Sequence, residues 1–435
     1  MSLTVNVIGA GLAGSECAWQ LSRRGIKVKL FEMKPQKYSP AHSLKTFAEL
    51  VCSNSLRAAG LENAPGLLKE EMRAFDSIII KSADLNSVPA GGALAVDREK
   101  FSAYISDVLS ANENIEIVSG EVTEIPQGDY TVIATGPLTS DGLSKKIAEL
   151  TGDEYLHFFD AAAPVVTAES IDFENAYKAS RYDKGEACYI NCPMNREEYE
   201  IFYNELITAE CAQLKEFENN KVFEGCMPVE VMASRGEQTL LFGPLKPVGL
   251  PDPKTGKEPY AVVQLRQDNS EATLYNLVGF QTHLKFGEQK RVFGLIPALK
   301  NAEFVRYGVM HRNTYINSPN LLNNMYQLKK NEKIFFAGQI TGVEGYIESA
   351  ASGLAVGLYL SQIIKDGQAK VLPRETAIGA LSHYISDETV VKFQPMNINF
   401  GIIPSLPERI KKKREKNLKI SERSLKIVNE YIKCN

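Results

Sequence analysis

The 435-residue sequence lacks a basic segment, apolar stretch and small-residue cleavage site ahead of Leu3–Ile8, which reads directly as a buried strand, so no secretion leader is expected. No apolar run is long enough to span a bilayer, so the expectation is a cytoplasmic protein without a membrane partner. Tryptophan occurs once and histidine five times. The seven cysteines are odd in number and scattered, which argues against a disulfide framework. Cys188 and Cys192 lie close together, but no second Cys or His pair follows at zinc spacing, and no metal site is expected. Internal repeats and low-complexity linkers are also lacking. At this length one compact core does not suffice, and two domains are the natural expectation.

Excess positive charge is lacking too. The net charge is −4, which by itself argues against a nucleic-acid partner. Its distribution changes that argument. From Glu408 to Asn435 ten Lys or Arg face four Glu, a net of +6 that leaves −10 for the remainder. Such asymmetry marks either a basic arm aimed at a polyanion or a solvated C-terminal helix whose cations suit its dipole.

What is present begins with a strand, a glycine turn, a helix and a second strand. Val5–Ile8 runs into Gly9, Ala10, Gly11, Leu12, Ala13 and Gly14, then an amphipathic stretch to Arg24 and the strand Val28–Phe31. Gly9, Gly11 and Gly14 match G-x-G-x-x-G: a tight turn, a close approach of backbone N–H groups to a pyrophosphate, and close helix packing. The helix N-terminus turns its positive end to the phosphates. Glu32, at the end of the second strand, is placed to accept hydrogen bonds from a ribose diol. Val132–Gly136 and Phe335–Gln339, with Gly136, Gly338 and Gln339 at their ends, look like the later motifs of two-dinucleotide-binding flavoproteins, and favour FAD over NAD.

The expected fold is therefore α/β, a Rossmann-like FAD-binding domain interrupted by an α+β insertion. Ser39–Arg57 reads as a long polar loop, and Arg98 opens a helix after the Gly91–Gly92 turn. Alternating runs at Tyr260–Leu265 and Leu274–Val278 suggest antiparallel strands, and Glu197–Leu214 a helix. The expected boundaries are 1–160 for the first part of the FAD domain, 161–300 for the insertion, and 301–435 for the second part with the basic helix.

Four strings are long and unusual: Phe47–Ser55 (FAELVCSNS), Phe223–Pro228 (FEGCMP), Arg306–Thr314 (RYGVMHRNT) and Gly338–Ser349 (GQITGVEGYIES). They resemble the folate- and FAD-dependent tRNA (uracil-5-)-methyltransferase family, from about Val5 to Phe400. More weakly, the chain resembles the larger flavoprotein that modifies wobble uridines in tRNA. The resemblance implies methylation of a T-loop uridine at C5, with carbon from 5,10-methylenetetrahydrofolate, hydride from reduced FAD, and NAD(P)H as reductant. It also implies that Cys226 and Cys52 carry the work at uracil, Cys226 as nucleophile and Cys52 as base or as a transient attacker of the same pyrimidine or the flavin-bound methylene; the alternative for both is a buried structural thiol. A thiolate suits the first role because it adds to a pyrimidine and leaves again.

Other residues follow with open alternatives. His311 with Arg312, ahead of His283, is a candidate to meet the pterin, or else a satisfied structural histidine. Tyr346 is a candidate isoalloxazine neighbour or helix-start packing. Arg98 is a candidate FAD contact or a surface cation. Lys246 and Arg266 are candidates for RNA phosphate or the folate tail. Lys411, Lys412, Lys413 and Arg414 are candidates for tRNA. The competing functions are the same chemistry on ribosomal RNA, an NAD(P)H–flavin oxidoreductase without RNA, and a non-catalytic FAD-stabilised RNA-binding protein.

Overall fold

The structure, a computed structural model, describes residues 3–152, 156–161, 163–183, 186–212, 227–308, 310–390 and 393–434, with the backbone alone at 156–161 and 310–312. Apolar residues in the opening strand Thr4–Ile8 place it at the centre of a six-stranded sheet. Lys27–Glu32 pairs parallel on one side and Thr131–Ile133 on the other. Ile115–Ser119 extends the first flank and Asn331–Phe336 the second, again in parallel. All five strands therefore end at one edge, where loops collect and ligands of such sheets bind.

Helix Leu12–Ser22 covers one face and lies against Tyr346–Asp366. The contact is close because Gly353 has no side chain: a Cβ there would fall 2.1 Å from the Ala13 carbonyl oxygen. Tyr346–Asp366 corrects the expectation that no run is long and apolar enough to cross a membrane. It meets that length and composition, yet 83% of its window is buried inside the protein, as in a core helix.

The insertion has its own core, from Val166 to Ala302. Its six strands are antiparallel, ordered Tyr177–Ala179, Tyr189–Met194, Ala261–Gln267, Leu274–Leu277, Val165–Thr167 and Phe304–Arg306. The last strand moves the expected boundary at 300 beyond Arg306, because Phe304 packs on this core and pairs with Val166. A two-stranded ladder, Leu156–Ala161 with Met310–Tyr315, joins the two domains. Arg196–Thr208 is the expected helix, shorter at its C-terminal end; residues 213 and 214 lie outside the described set.

The C-terminal helix spans Lys413–Cys434 and is docked along one face. Asn417, Ile420, Ser421, Ser424, Val428 and Tyr431 are buried at helical spacing. Asn417 Nδ2 donates to the Glu62 carbonyl at 2.9 Å and Ser421 Oγ to the Leu61 carbonyl at 2.7 Å. The cations do not suit the dipole as expected. They crowd onto the first turns, where the macrodipole is positive, and only Lys433 lies in the last turn.

Candidate functional site: a nucleotide cleft beside the Cys52 loop

Two of the three fingerprint glycines are required by the chain itself. Gly9 has φ +97°, and a Cβ there would meet the Ala134 carbonyl oxygen at 2.8 Å. A Cβ on Gly14 would lie 1.8 Å from the Gly9 carbonyl oxygen. Gly11 differs: its backbone is extended, and no atom lies within 4 Å of where a Cβ would stand. Nothing in the protein requires glycine there, which leaves an approaching ligand as the reason. Helix Leu12–Ser22 starts at this point with no side-chain cap and no acidic residue in its first turn. Its unpaired amides and positive end fit a pyrophosphate.

The cleft above this turn holds about 660 Å³ of space, partly open to solvent. Glu32 is buried in its wall: Oε2 accepts the Ala10 amide at 2.9 Å and Oε1 the Lys34 amide at 3.0 Å. Each carboxylate oxygen retains acceptor capacity for a ribose hydroxyl. Thr135 and Thr139 line the cleft on either side of Gly136, which takes φ +68° and is itself absent from the lining. Lys34, His42 and Glu49 also line it and were not legible in the sequence. Lys34 and Glu49 form a buried ion pair at 3.5 Å. Burial and then the Lys34 charge hold the His42 imidazole below its ordinary pKa.

Farther along the sheet edge, Gly338 ends Asn331–Phe336 at φ +86°, its amide donating to Ser352 Oγ at 2.6 Å. Gln339 donates to Glu344 at 2.6 Å. Tyr346 begins the long helix, and its hydroxyl accepts the amides of Cys52 at 2.7 Å and Ser53 at 3.2 Å. Cys52 is partly exposed. The structure thus brings together two residues 294 positions apart.

The Cys52 loop is held from other sides as well. The Ala48 amide donates to the Ala10 carbonyl at 2.9 Å, tying the loop to the glycine turn. Arg266 is buried and donates to Ser53 Oγ at 2.7 Å and Asn54 Oδ1 at 3.0 Å. It is a strut from the insertion domain to the loop, which corrects its assignment to RNA or folate. Arg98 is corrected likewise: its guanidinium binds Asp268 at 3.0 Å and the Leu50 carbonyl at 2.9 Å, and it is absent from the lining of the nucleotide cleft. Both cations are buried against fixed acceptors across the domain junction, a partnership no local pattern reveals.

The remaining sites are dispersed. His283 lies in the insertion, its imidazole against Glu230, which also accepts the Thr282 hydroxyl at 2.8 Å and the His283 amide at 2.9 Å. Burial pulls its pKa down, but Cys211 and Glu230 outweigh this and push it up to about 10. Cys211, Glu230 and His283 bring ligand-type atoms within 4.8 Å of one another, a grouping that linear spacing did not anticipate. His311 and Arg312 lie on the ladder strand joining the domains, His311 opposite Asp160, with side chains outside the described set. Lys246 offers its backbone carbonyl to Arg181 at 3.0 Å. Cys226 lies outside the described residues.

Comparison with known proteins decides the family. Residues 4–368 match the family described as glucose inhibited division protein A. A methylenetetrahydrofolate–tRNA-(uracil-5-)-methyltransferase TrmFO from Acetivibrio thermocellus is 65% identical over 428 residues, 98% of each chain. The protein of that name from Ligilactobacillus salivarius is 61% identical over 435 residues, 100% of each chain. The chain belongs to the TrmFO methyltransferases of the glucose inhibited division protein A family. Members of that family share its fold: Aquifex aeolicus GidA superposes with a TM-score of 0.70 at 18% identity, covering 98% of this chain and 74% of that one.

A family member built in this way depends on the Tyr346 hydroxyl to hold the loop amides. Tyr346→Phe leaves both donors without that acceptor, a loss of about 1–3 kcal/mol if they stay buried. The expected result is methyl transfer slowed by roughly tenfold with flavin content unchanged, read by single-turnover kinetics and flavin absorbance. Loss of flavin at an unchanged rate would instead place Tyr346 against the cofactor.

Proposed function

We propose that the chain methylates C5 of a uridine in tRNA, with carbon from 5,10-methylenetetrahydrofolate, FAD in the cleft above the glycine turn, and NAD(P)H as reductant. The observation that carries this reading is the mounting of the Cys52 loop. Tyr346, at the end of the nucleotide-binding edge, and Arg266, from the insertion, both hold it. A plain flavin reductase has no evident use for a thiol fixed at that junction.

Bound FAD, once reduced, supplies the hydride that turns the folate methylene carbon into a methyl group. The chain's own residues act on the uracil. The Cys226 thiolate adds to C6, which pushes electron density to C5 and makes that carbon nucleophilic. After C5 bonds to the folate methylene carbon, Cys52 removes the C5 proton as general base. The bond from that carbon to the folate nitrogen breaks to release tetrahydrofolate, and the freed methylene takes the hydride that bound, reduced FAD would supply. The thiolate then leaves C6 and the ring double bond is restored. Tyr346 and Arg266 are positioning residues for Cys52. His311 and Arg312, on the strand crossing between the domains, are our candidates for folate.

The finer target is the T-arm, whose folded uridine has to be drawn out of its loop to be reached. Lys411, Lys412, Lys413 and Arg414 are exposed, and none forms an ion pair with a described residue. They are placed to contact RNA phosphates while the pocket reads the base. The setting for this chemistry is the cytoplasm.

The test supplies purified yellow protein with NADPH, methylenetetrahydrofolate and either an unmodified tRNA transcript or a ribosomal RNA fragment. Nucleosides are then analysed by mass spectrometry. The expected outcome is 5-methyluridine in tRNA, lost in Cys226→Ala. Methylation of ribosomal RNA alone would move the substrate. Flavin reduction with neither RNA methylated would leave an NAD(P)H–flavin oxidoreductase.

A further inference from the structure

A surface groove runs between the start of the C-terminal helix, residues 398–405 and the N-terminal end of helix Ala64–Ala74, with about 1040 Å³ of space partly open to solvent. Arg57, Lys413 and Lys416 line it, with Glu62 as the acid among the lining residues. Phe400 forms an apolar part of the wall.

Three observations single this groove out. The first is electrostatic. Lys413 and Lys416 stand on the opening turns of a helix, where its dipole already carries positive charge and where a merely structural helix favours acids. Several exposed cations elsewhere are paired with carboxylates, among them Lys37, Lys100, Lys285 and Arg291. Lys413 and Lys416 have no such partner among the described residues, so their field is left for an anion.

The second is conformational. Arg57 takes the left-handed backbone region at φ +67°, which non-glycine residues seldom adopt and which concentrates at functional sites. Its Nη1 donates to the fully buried Glu348 carboxylate at 2.8 Å, while its side chain is 43% exposed along the groove.

The third is connectivity. Arg57 is five residues from Cys52, so their Cα atoms are separated by at most about 17 Å. Glu348, which holds Arg57, is two residues beyond Tyr346, which holds Cys52. The groove and the Cys52 loop therefore share one mount.

We propose that this groove docks the RNA backbone within a few nucleotides of the target uridine, with Arg57, Lys413 and Lys416 as its phosphate ligands. The proposal rests on the reading of the chain as a tRNA methyltransferase and specifies how that substrate is held. The shared mount fixes the phosphate site relative to Cys52, so a strand seated in the groove presents its nearby base at the catalytic loop. Phe400 offers a face to ribose or base.

The test uses the full flavoprotein and a fluorescein-labelled unmodified tRNA transcript, with binding followed by anisotropy from low to high KCl. The variant is K413E/K416E, both positions being exposed, and K81E serves as a charge reversal at an exposed lysine of helix Ile78–Leu85 that does not line the groove. Flavin absorbance and Tm certify folding. The expected result for the double variant is affinity at low salt reduced by roughly tenfold or more. Its plot of log affinity against log salt should be shallower by about 1.4, because each single-strand phosphate contact contributes about 0.7. K81E should follow the unaltered protein. An affinity and slope equal to those of the unaltered protein, while that protein methylates tRNA, would overturn the groove and leave the activity standing. If the unaltered protein neither bound nor methylated tRNA, the substrate assignment would fall and the groove with it.

Discussion

Cys52→Ala is expected to lower methyl transfer to tRNA by roughly 10²- to 10⁴-fold, the usual worth of a positioned acid or base, while the protein keeps its flavin. The argument is structural. The bonds that anchor the loop run through the Cys52 and Ser53 amides, the Ser53 hydroxyl and the Asn54 side chain. Alanine preserves all of them and removes a partly exposed thiol. The measurement is 5-methyluridine formed per flavin in a single turnover. A variant within a factor of two of the unaltered enzyme would remove Cys52 from proton transfer. A variant that lost both rate and flavin would make Cys52 part of the cofactor mount.

Gly11→Ala and Gly14→Ala are expected to fail in different ways, and the contrast tests the cofactor cleft. At Gly14 the new methyl would sit 1.8 Å from the Gly9 carbonyl oxygen, so the turn and the helix must separate. Overpacking of this kind costs about 1–3 kcal/mol or more, and the protein should melt earlier as well as lose flavin. At Gly11 the backbone is extended at φ −72° and nothing in the protein lies within 4 Å of the methyl. The apoprotein should therefore fold with an unchanged Tm, yet bind FAD at least roughly tenfold more weakly, because the methyl occupies the approach of the pyrophosphate. Tm by calorimetry and FAD affinity by fluorescence quenching separate the two. Tight FAD binding by Gly11→Ala would place the phosphates elsewhere.

What was legible in the sequence is local. The strand Thr4–Ile8, the glycine turn and Glu32 are adjacent signals in one short stretch, and the structure has them as expected. Asn331–Phe336 followed by Gly338 was legible for the same reason, an apolar run stopped by glycine. The partnerships that make the site were not. Arg266 reaches Asn54 across 212 positions and Arg98 reaches Asp268 across 170, and neither distance leaves a periodicity. Lys34 and Glu49 lie closer in the chain but inside an irregular loop, where no helical or strand spacing says which side chains meet. Two arginines expected to meet ligands are instead buried struts at the domain junction, since charge alone does not distinguish a substrate contact from a structural one.

The basic tail is intermediate. Its charge was visible in the composition, but its direction was not. A helix beginning at Lys413 puts the cations at the positive end of the dipole, so Lys411 and Lys412 lie just ahead of the helix and Lys416 joins the groove. This placement makes the tail an anion-facing end, with the opposite face of the helix docked by Ser421, Ser424 and Val428.

The central claim is that Cys52, on the loop held by Tyr346 and Arg266, acts with Cys226 to exchange the C5 hydrogen of one tRNA uridine for a methyl group. It is tested most directly by tritium release from a tRNA transcript made with [5-³H]uridine. With NADPH and methylenetetrahydrofolate present, the account predicts one C5 tritium released to water for each methyl gained, and neither event in Cys52→Ala or Cys226→Ala. Methyl appearing in RNA without tritium release, or release and methylation persisting in the cysteine variants, would contradict it.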